Sequence, residues 1–226
     1  MHSSDPFFGD GLQPLISSIE PRMNPSSVDP LHFQISGQSA LSHEVRVRGF
    51  TFFRQLAEYV QALPYGRTMG SEDPCAVLYE KRGTCSSKHQ LLAAVAQASG
   101  HAEIQLVVGI YAMCEENTPG VAATLNTAGV ASIPEAHCYL SVEGKRMDFT
   151  GLAAGSSSPF AALISESVVC PFRLHKTKAE LHARALAEWA SARGATAEWA
   201  WSVREACIAA LAARPFTQRT ASDQLR

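Results

Sequence analysis

The segment between two glycines, Gly83 and Gly100, constrains the fold more than any other part of the chain. The first glycine allows a tight turn, and an apolar stretch rich in alanine and leucine then continues to about Ser99. Glycine readily adopts the left-handed conformation in which helices end, so the second glycine is a good C-terminal stop. The pattern therefore predicts an apolar helix that begins at Cys85.

A cysteine at the start of this helix has two interpretations. Unpaired N–H groups and the positive end of the helix dipole stabilise an anion there, and the thiolate is the reactive form of cysteine. Lys81 and Arg82, just before the helix, add positive charge. The alternative is the usual fate of a free cysteine, which is a small apolar side chain in the core. The position after a glycine turn favours Cys85 as a nucleophile.

Strands follow this helix along the chain. Residues 104–111 are rich in β-branched side chains and predict a central strand. Residues 138–143 and 145–149 predict a hairpin whose turn contains Gly144, and residues 168–174 predict a last edge strand. Because helices are predicted both before and after these strands, the expected fold class is α+β.

His137 and Asp148 lie near the same end of the two hairpin strands. A histidine can take the proton of a thiol and later protonate a leaving group, and a carboxylate can hold its imidazole in one tautomer. With Cys85 they give the order Cys, His, Asp on helix, strand and strand, which is typical of thiol-dependent acyl transfer. The structural alternatives are a buried histidine bonded to a backbone carbonyl and a strand-end aspartate in solvent.

Acyl transfer also needs donors for the oxyanion of the tetrahedral intermediate. The backbone N–H of Cys85, at the helix start, is the natural first donor. The sequence does not choose the second donor: Tyr79 and Tyr65 are candidates, and Thr84 and Tyr139 are further candidate oxyanion or substrate contacts.

A metal site is the competing interpretation of the same helix. Cys85 and His89 are four residues apart and share a helix face, but no further ligands with suitable spacing are apparent. His89 is therefore interpreted as a polar helix residue or a support for the nucleophile. The chain has no C-x-x-C pair, which argues against structural zinc, and we expect no metal and no cofactor. Cys138 is predicted to point to the sheet face opposite His137 and to belong to the core.

Composition narrows the possible partners and location. A net charge of −2 and a pI near 6.4 give no electrostatic case for nucleic acid or an anionic membrane surface. No apolar stretch is long enough to suggest a transmembrane span. Residues 1–6 lack the pattern of a secretory signal, and six cysteines are scattered along the chain. Reduced thiols and a cytoplasmic location are expected.

The chain divides into three predicted parts. Residues 1–48, rich in Pro, Ser and Gly, predict an arm that wraps the core as a strap, with a gate over the cleft as the alternative. Residues 49–175 predict the core. Residues 176–226 predict a helical extension packed on the core, with a break near Gly194.

Shorter segments complete the predicted secondary structure. Apolar residues at helical spacing predict a helix over residues 51–63 and a short helix through 76–78, whereas residues 117–134 predict a loop. The tryptophans of the extension are expected to pack against the domain, with an interface or a cleft wall as the alternative. They are Trp189, Trp199 and Trp201. The oligomeric state stays open.

The ordered set of motifs resembles the transglutaminase-like superfamily over roughly residues 74–152. The resemblance is carried by Gly83-Thr84-Cys85, by His137 with Tyr139 two residues later, and by Asp148-Phe149-Thr150. It implies a papain-like core in which a Cys-bearing helix packs on an antiparallel sheet that carries the histidine and the aspartate. It also implies that Cys85, His137 and Asp148 are the nucleophile, the base and the orienting group.

The chain departs from the pattern of this superfamily at three positions. Many members have an acidic residue where Thr84 stands, an arginine where Gln105 stands, and a tryptophan where Tyr139 stands. These departures leave the triad intact and leave the substrate open.

The functional expectation is a cysteine-dependent enzyme of transglutaminase-like type that acts on an amide or a thioester. Its substrate would be a peptide, a protein or a small acyl compound. Water as acceptor gives hydrolysis and an amine gives transfer, and the sequence does not separate the two. The alternative is a non-catalytic binding module that retains the fold, because one fold hosts many functions.

Overall fold

A computed structural model describes residues 29–70, 72–151 and 158–213. Four helices precede the sheet and two long helices follow it, and one short helix lies between the first two strands. The elements are α1 (Ala40–Val47), α2 (Phe53–Ala62), α3 (Ala76–Glu80), α4 (Cys85–Ala98), β1 (Ile104–Met113), α5 (Ala122–Thr127), β2 (Ile133–Val142), β3 (Lys145–Met147), β4 (Leu163–Val168), α6 (Leu174–Ser191) and α7 (Ala197–Ala212). The fold is α+β, as predicted.

The strands form one antiparallel sheet in the order β3-β2-β1-β4. β1 and β2 pair over ten residues each, which places Gly109 opposite His137. A two-residue turn of Glu143 and Gly144 joins β2 to β3, and both residues have positive φ, at 50° and 77°. Positive φ at both positions is the conformation of the hairpin turn whose twist matches that of the strands. The predicted hairpin is therefore present, but its second strand ends at Met147, so Asp148 lies just after the strand and not within it as predicted.

Helix α4 lies at the centre of the core. Every residue from Cys85 to Ala96 is buried. One side of the helix packs on the sheet, against Ala136, Cys138 and Leu140 of β2, and α2 also packs on it. Burial on all sides explains why the sequence of this helix lacks a single apolar stripe: residues 91–96 are apolar, and the polar residues 86–90 are buried as well. Its first residue is thereby held at the sheet.

Helices α6 and α7 form a second layer against β2 and β1. Their apolar side chains share a cluster with Tyr111, Met113 and Ile133. Glu135 of β2 is buried in this layer, and its two carboxylate oxygens accept from the Arg204 guanidinium at 2.6 and 2.9 Å. This bidentate pair joins α7 to the strand that carries His137.

Most sequence-predicted elements are confirmed, and two are wrong. The helix predicted over residues 51–63 is α2, and α4 ends with Ser99 as its C-cap. The predicted loop at 117–134 contains α5. The edge strand predicted at 168–174 lies earlier, as β4. Pro171, which has no N–H to donate to a ladder, instead begins a short 3-10 turn that leads into α6.

The predicted arm and extension are described only in part. Residues 1–28 and 214–226 lie outside the described residues, and so do the strap and gate interpretations that depend on them. The described part of the arm contains α1, whose Val45 packs in the main core cluster.

The tryptophans of the second layer differ in their environments. Trp189 and Trp199 stack with ring centroids 5.8 Å apart and pack against the apolar cluster of α6 and α7, in line with the packing interpretation. Trp201 is 41% exposed, and its ring contacts His182. Within the described ranges, no helix is both long enough and apolar enough to cross a membrane.

Candidate active site

Cys85 is the first residue of α4, and local hydrogen bonds fix the start of this helix. Thr84 is extended (φ −83°, ψ 175°), and its hydroxyl accepts from the Ser87 N–H at 3.4 Å, while the Ser87 hydroxyl accepts from the Thr84 N–H at 2.9 Å. This reciprocal capping leaves the Cys85 N–H at a position that has no partner within a helix. The Thr84 hydroxyl, a candidate substrate contact, is engaged in the cap.

The sheet brings His137 and Asp148 to this helix start. The His137 Nε2–H donates to Asp148 Oδ2 at 2.9 Å. The other carboxylate oxygen of Asp148 accepts from the N–H of Thr150 at 2.8 Å and from its hydroxyl. The histidine also interacts electrostatically with the Cys85 thiol, and Nδ1 is the ring nitrogen left for this contact. The three predicted residues therefore come together at the start of α4.

The charges around Cys85 favour an ion pair. Interaction with the buried Cys138 thiol and the cations of Lys178 and His137 lower the pKa of Cys85 well below its ordinary value despite burial. Burial alone would lower the pKa of His137, but hydrogen bonds to Asp148 and Cys85 raise it to about 10. Burial opposes ionisation of Asp148, yet His137 holds its pKa below the usual range.

His89 joins the two halves of this site. Its Nδ1 lies 2.8 Å from the Cys85 carbonyl oxygen, and the Phe149 N–H donates to its Nε2 at 2.8 Å. Because Nε2 accepts, the proton resides on Nδ1, which donates to the carbonyl. Burial lowers the pKa of His89, which keeps the ring neutral. His89 thus links the first turn of α4 to the residue after Asp148. These contacts agree with one of its two sequence interpretations, that of a support for Cys85.

The metal interpretation of Cys85 and His89 does not fit these contacts. Both ring nitrogens of His89 are engaged with backbone groups, so neither has a lone pair free for a metal ion. Over the described ranges, no group of three or more His, Cys, Asp and Glu side chains is arranged to hold a metal.

Lys88 makes a second tie to the Asp148 loop. The side chain is completely buried, and its ammonium donates to the carbonyl oxygens of Leu63 at 2.6 Å, Thr150 at 2.8 Å and Gln61 at 3.3 Å. Burial lowers the pKa of Lys88 to about 8, against the opposing effect of the Asp148 carboxylate. The three carbonyl contacts join the end of α2 to the segment that carries the carboxylate of the triad.

Three residues that the sequence analysis did not place in the site also contact the thiol. The Cys85 Sγ lies 3.9 Å from Ser86 Oγ and 3.8 Å from Lys178 Nζ. The third is Cys138, which interacts with the thiol electrostatically. It is fully buried in the main core cluster, as predicted, and because α4 packs on that face of β2 its sulfur lies 3.5 Å from Ser86 Oγ.

The three tyrosine candidates lie in different places. Tyr65 forms a backbone bridge to Gly83, two residues before Cys85, and the thiolate charge together with burial raises the pKa of its phenol. The Tyr79 ring instead lies 4.6 Å from the Arg48 guanidinium, and the groups that act on its phenol are Cys75, Glu44 and Asp73. Of these two tyrosines, the structure brings only Tyr65 close to Cys85.

Tyr139 supports the histidine from within the sheet. It is fully buried, its hydroxyl donates to Glu166, and its ring stacks near that of His137 with centroids 6.2 Å apart. Gly109 of β1 pairs with His137, and a Cβ added there would lie 2.8 Å from the Tyr139 ring. The glycine therefore makes room for the aromatic side chain, whose hydroxyl is committed to a carboxylate and not directed at the thiol.

Comparisons of this chain with protein-family models, with curated proteins and with solved structures found no match. The interpretation of the site therefore rests on its own geometry.

Proposed function

We propose that this protein is a cysteine-dependent acyl-transfer enzyme that acts on an amide or a thioester, with Cys85, His137 and Asp148 as its triad. The observation that carries the proposal is the position of the Cys85 thiol, at the start of a helix and beside His137, whose imidazole donates to Asp148 at 2.9 Å. A thiolate paired with an imidazolium is the reactive state of thiol enzymes.

The reaction follows from the position of each group. The Cys85 thiolate attacks the carbonyl carbon, and the C–O π electrons move to oxygen, where the Cys85 N–H donates to the oxyanion. As the oxyanion collapses, the His137 imidazolium gives its Nδ1 proton to the leaving amine or thiolate. His137, now neutral, takes a proton from water or an amine acceptor that attacks the thioester. Collapse of this second intermediate releases the product and restores the ion pair.

The same geometry supports the proposal of a papain-like core. The Cys-bearing helix packs on an antiparallel sheet whose second strand carries the histidine and whose hairpin leads to the aspartate. That arrangement is what the resemblance to the transglutaminase-like superfamily implies. Beyond the α+β class, we therefore propose that this fold is related to that of thiol-dependent acyltransferases and peptidases.

Covalent trapping tests the proposal directly. The protein is mixed with p-nitrophenyl acetate at neutral pH, and intact mass together with peptide mapping locates any acetyl group. We expect a rapid burst of nitrophenol with one acetyl group on Cys85, and no burst with Cys85→Ala. The matched control is Cys170→Ala, which removes an exposed free cysteine outside the triad and should keep the burst.

Two outcomes would contradict the proposal. An equal burst with Cys85→Ala would show that another group is acylated. A thiol at Cys85 that reacts neither with the ester nor with iodoacetamide near neutral pH would favour the non-catalytic binding module.

A further inference from the structure

Lys178 places a cation beside the candidate nucleophile from a part of the chain remote in sequence. Its ammonium lies 3.8 Å from the Cys85 sulfur and donates to the Ser86 hydroxyl at 2.9 Å. The residue lies in the second turn of α6, and the contact joins positions 93 residues apart. The Ser86 bond holds the ammonium on the side of the thiol formed by the first turn of α4.

The ammonium has no carboxylate partner to account for its position. Among the described residues, Lys178 forms no ion pair with Asp or Glu. The buried carboxylate of Glu135 acts on it at longer range but is occupied by both arms of the Arg204 guanidinium. The positive end of the α4 dipole also disfavours a cation there. The Cys85 sulfur is therefore the anionic group that the ammonium directly faces.

We propose, on the basis of the proposed function, that Lys178 is a further catalytic residue and donates to the oxyanion of the tetrahedral intermediate alongside the Cys85 N–H. The oxyanion is separated from the sulfur by a single carbon atom. A donor 3.8 Å from the sulfur can thus lie within the roughly 2.7–3.1 Å that an oxyanion hole requires.

This position makes the charge of Lys178 useful in the transition state. Before attack, the negative charge resides on the sulfur, and the ammonium contributes to its stability. After attack, the sulfur is neutral and the charge resides on the oxygen. A cation that faces both atoms stays paired while the charge moves, whereas the His137 cation gives its proton to the leaving group. Lys178 thereby supplies the second donor that the sequence did not choose.

Comparison of two reactions of the same thiol isolates this role. Iodoacetamide alkylates Cys85 by displacement of iodide and forms no oxyanion, whereas p-nitrophenyl acetate acylates it through one. Both second-order rates are measured against pH in the wild type, Lys178→Met and Lys178→Gln, and compared on the plateau where the thiol is fully ionised. The glutamine variant retains a donor for Ser86 and so preserves the local packing if methionine disturbs it.

We expect acylation on the plateau to fall about 100-fold in both variants, the range for loss of an oxyanion donor, while alkylation changes by less than about 3-fold. The matched control is Lys176→Met, which removes an exposed lysine two positions earlier on α6 and should alter neither rate. Equal factors for the two reactions would show that Lys178 only tunes the thiol and would overturn the inference.

The result also separates this inference from the proposed function. If Lys178→Met and Lys178→Gln are acylated at Cys85 as fast as the wild type, the role of Lys178 is contradicted and the triad proposal stays intact. If Cys85 of the wild type is not acylated at all, the triad proposal is contradicted, and the oxyanion role with it.

Discussion

The Asp148→Asn variant would test the triad at its most constrained member. Both carboxylate oxygens of Asp148 accept hydrogen bonds, one from His137 and the other from Thr150. An asparagine of the same shape has one oxygen and one NH2 group, so one of these two donors must face another donor. If the NH2 group faces His137, the imidazole is driven to the tautomer with its proton on Nδ1, which cannot accept the thiol proton.

The structure gives the size of the expected effect. The pKa of His137 is about 10 against an ordinary 6.5, and the bond to Asp148 leads the contacts that raise it. If the carboxylate supplies about half of this rise, its loss lowers the His137 pKa by about two units. Because the imidazolium stabilises the thiolate, Cys85 should then ionise at higher pH. Alkylation below the new midpoint should slow by about 10- to 100-fold.

The assay is the pH dependence of Cys85 carboxamidomethylation, read by peptide mass spectrometry. The matched control is Asp73→Asn, because Asp73 also accepts the N–H of the residue two positions later, that of Cys75, at 2.9 Å but contacts no histidine. The control profile should coincide with that of the wild type. An Asp148→Asn profile that also coincides with it would refute the argument that the carboxylate maintains the ion pair.

Three further predictions concern stability. Glu135→Gln breaks a buried bidentate ion pair and should lower the free energy of unfolding, measured in urea, by about 3 kcal/mol. Glu166→Gln breaks an exposed ion pair and should lower it by less than about 1 kcal/mol. Equal losses in the two variants would contradict the argument from burial. Lys88→Met leaves buried carbonyl groups unpaired and should cost about 3 kcal/mol in the same assay, and a neutral result would show that they find other donors. Above about pH 6.5 the folded protein keeps a proton on His137 that the unfolded chain loses, but folded Cys85 lacks a proton that the unfolded thiol retains, so these two contributions to the pH dependence cancel up to about pH 8.5. The lowered pKa of His89 gives a loss of stability as the pH falls below about 6.5, so urea titrations should show lower stability at about pH 5 than at about pH 7, and equal stability at the two would oppose this.

Local patterns explain which parts of the site could be predicted. A helix start is marked by a glycine turn and a capping residue, so the sequence located Cys85 within the fold before any tertiary contact was known. A hairpin returns the chain alongside itself, so His137, shortly before its paired residues, and Asp148, just after its second strand, could be expected to meet. Both signals act over short stretches of chain.

The loop at 117–134 and the last strand show the limit of such patterns. Helix α5 is six residues long, and its alanine and threonine content gave no clear apolar stripe. The position of β4 depends on its pairing with β1, where Val107 faces Val168. Pairing between residues more than 60 positions apart along the chain leaves no trace in local periodicity.

The sequence by itself determined the α+β order of elements, the helix that opens with a cysteine, and the hairpin that joins a histidine to an aspartate. Only the tertiary structure decided what surrounds the thiol. It places Lys178 of α6 beside Cys85 and the Cys138 sulfur beside the Ser86 hydroxyl. It also commits both nitrogens of His89 to backbone groups. The physical reason is that secondary structure depends on neighbours along the chain, whereas the charge and hydrogen bonding of a site depend on elements that meet only through packing.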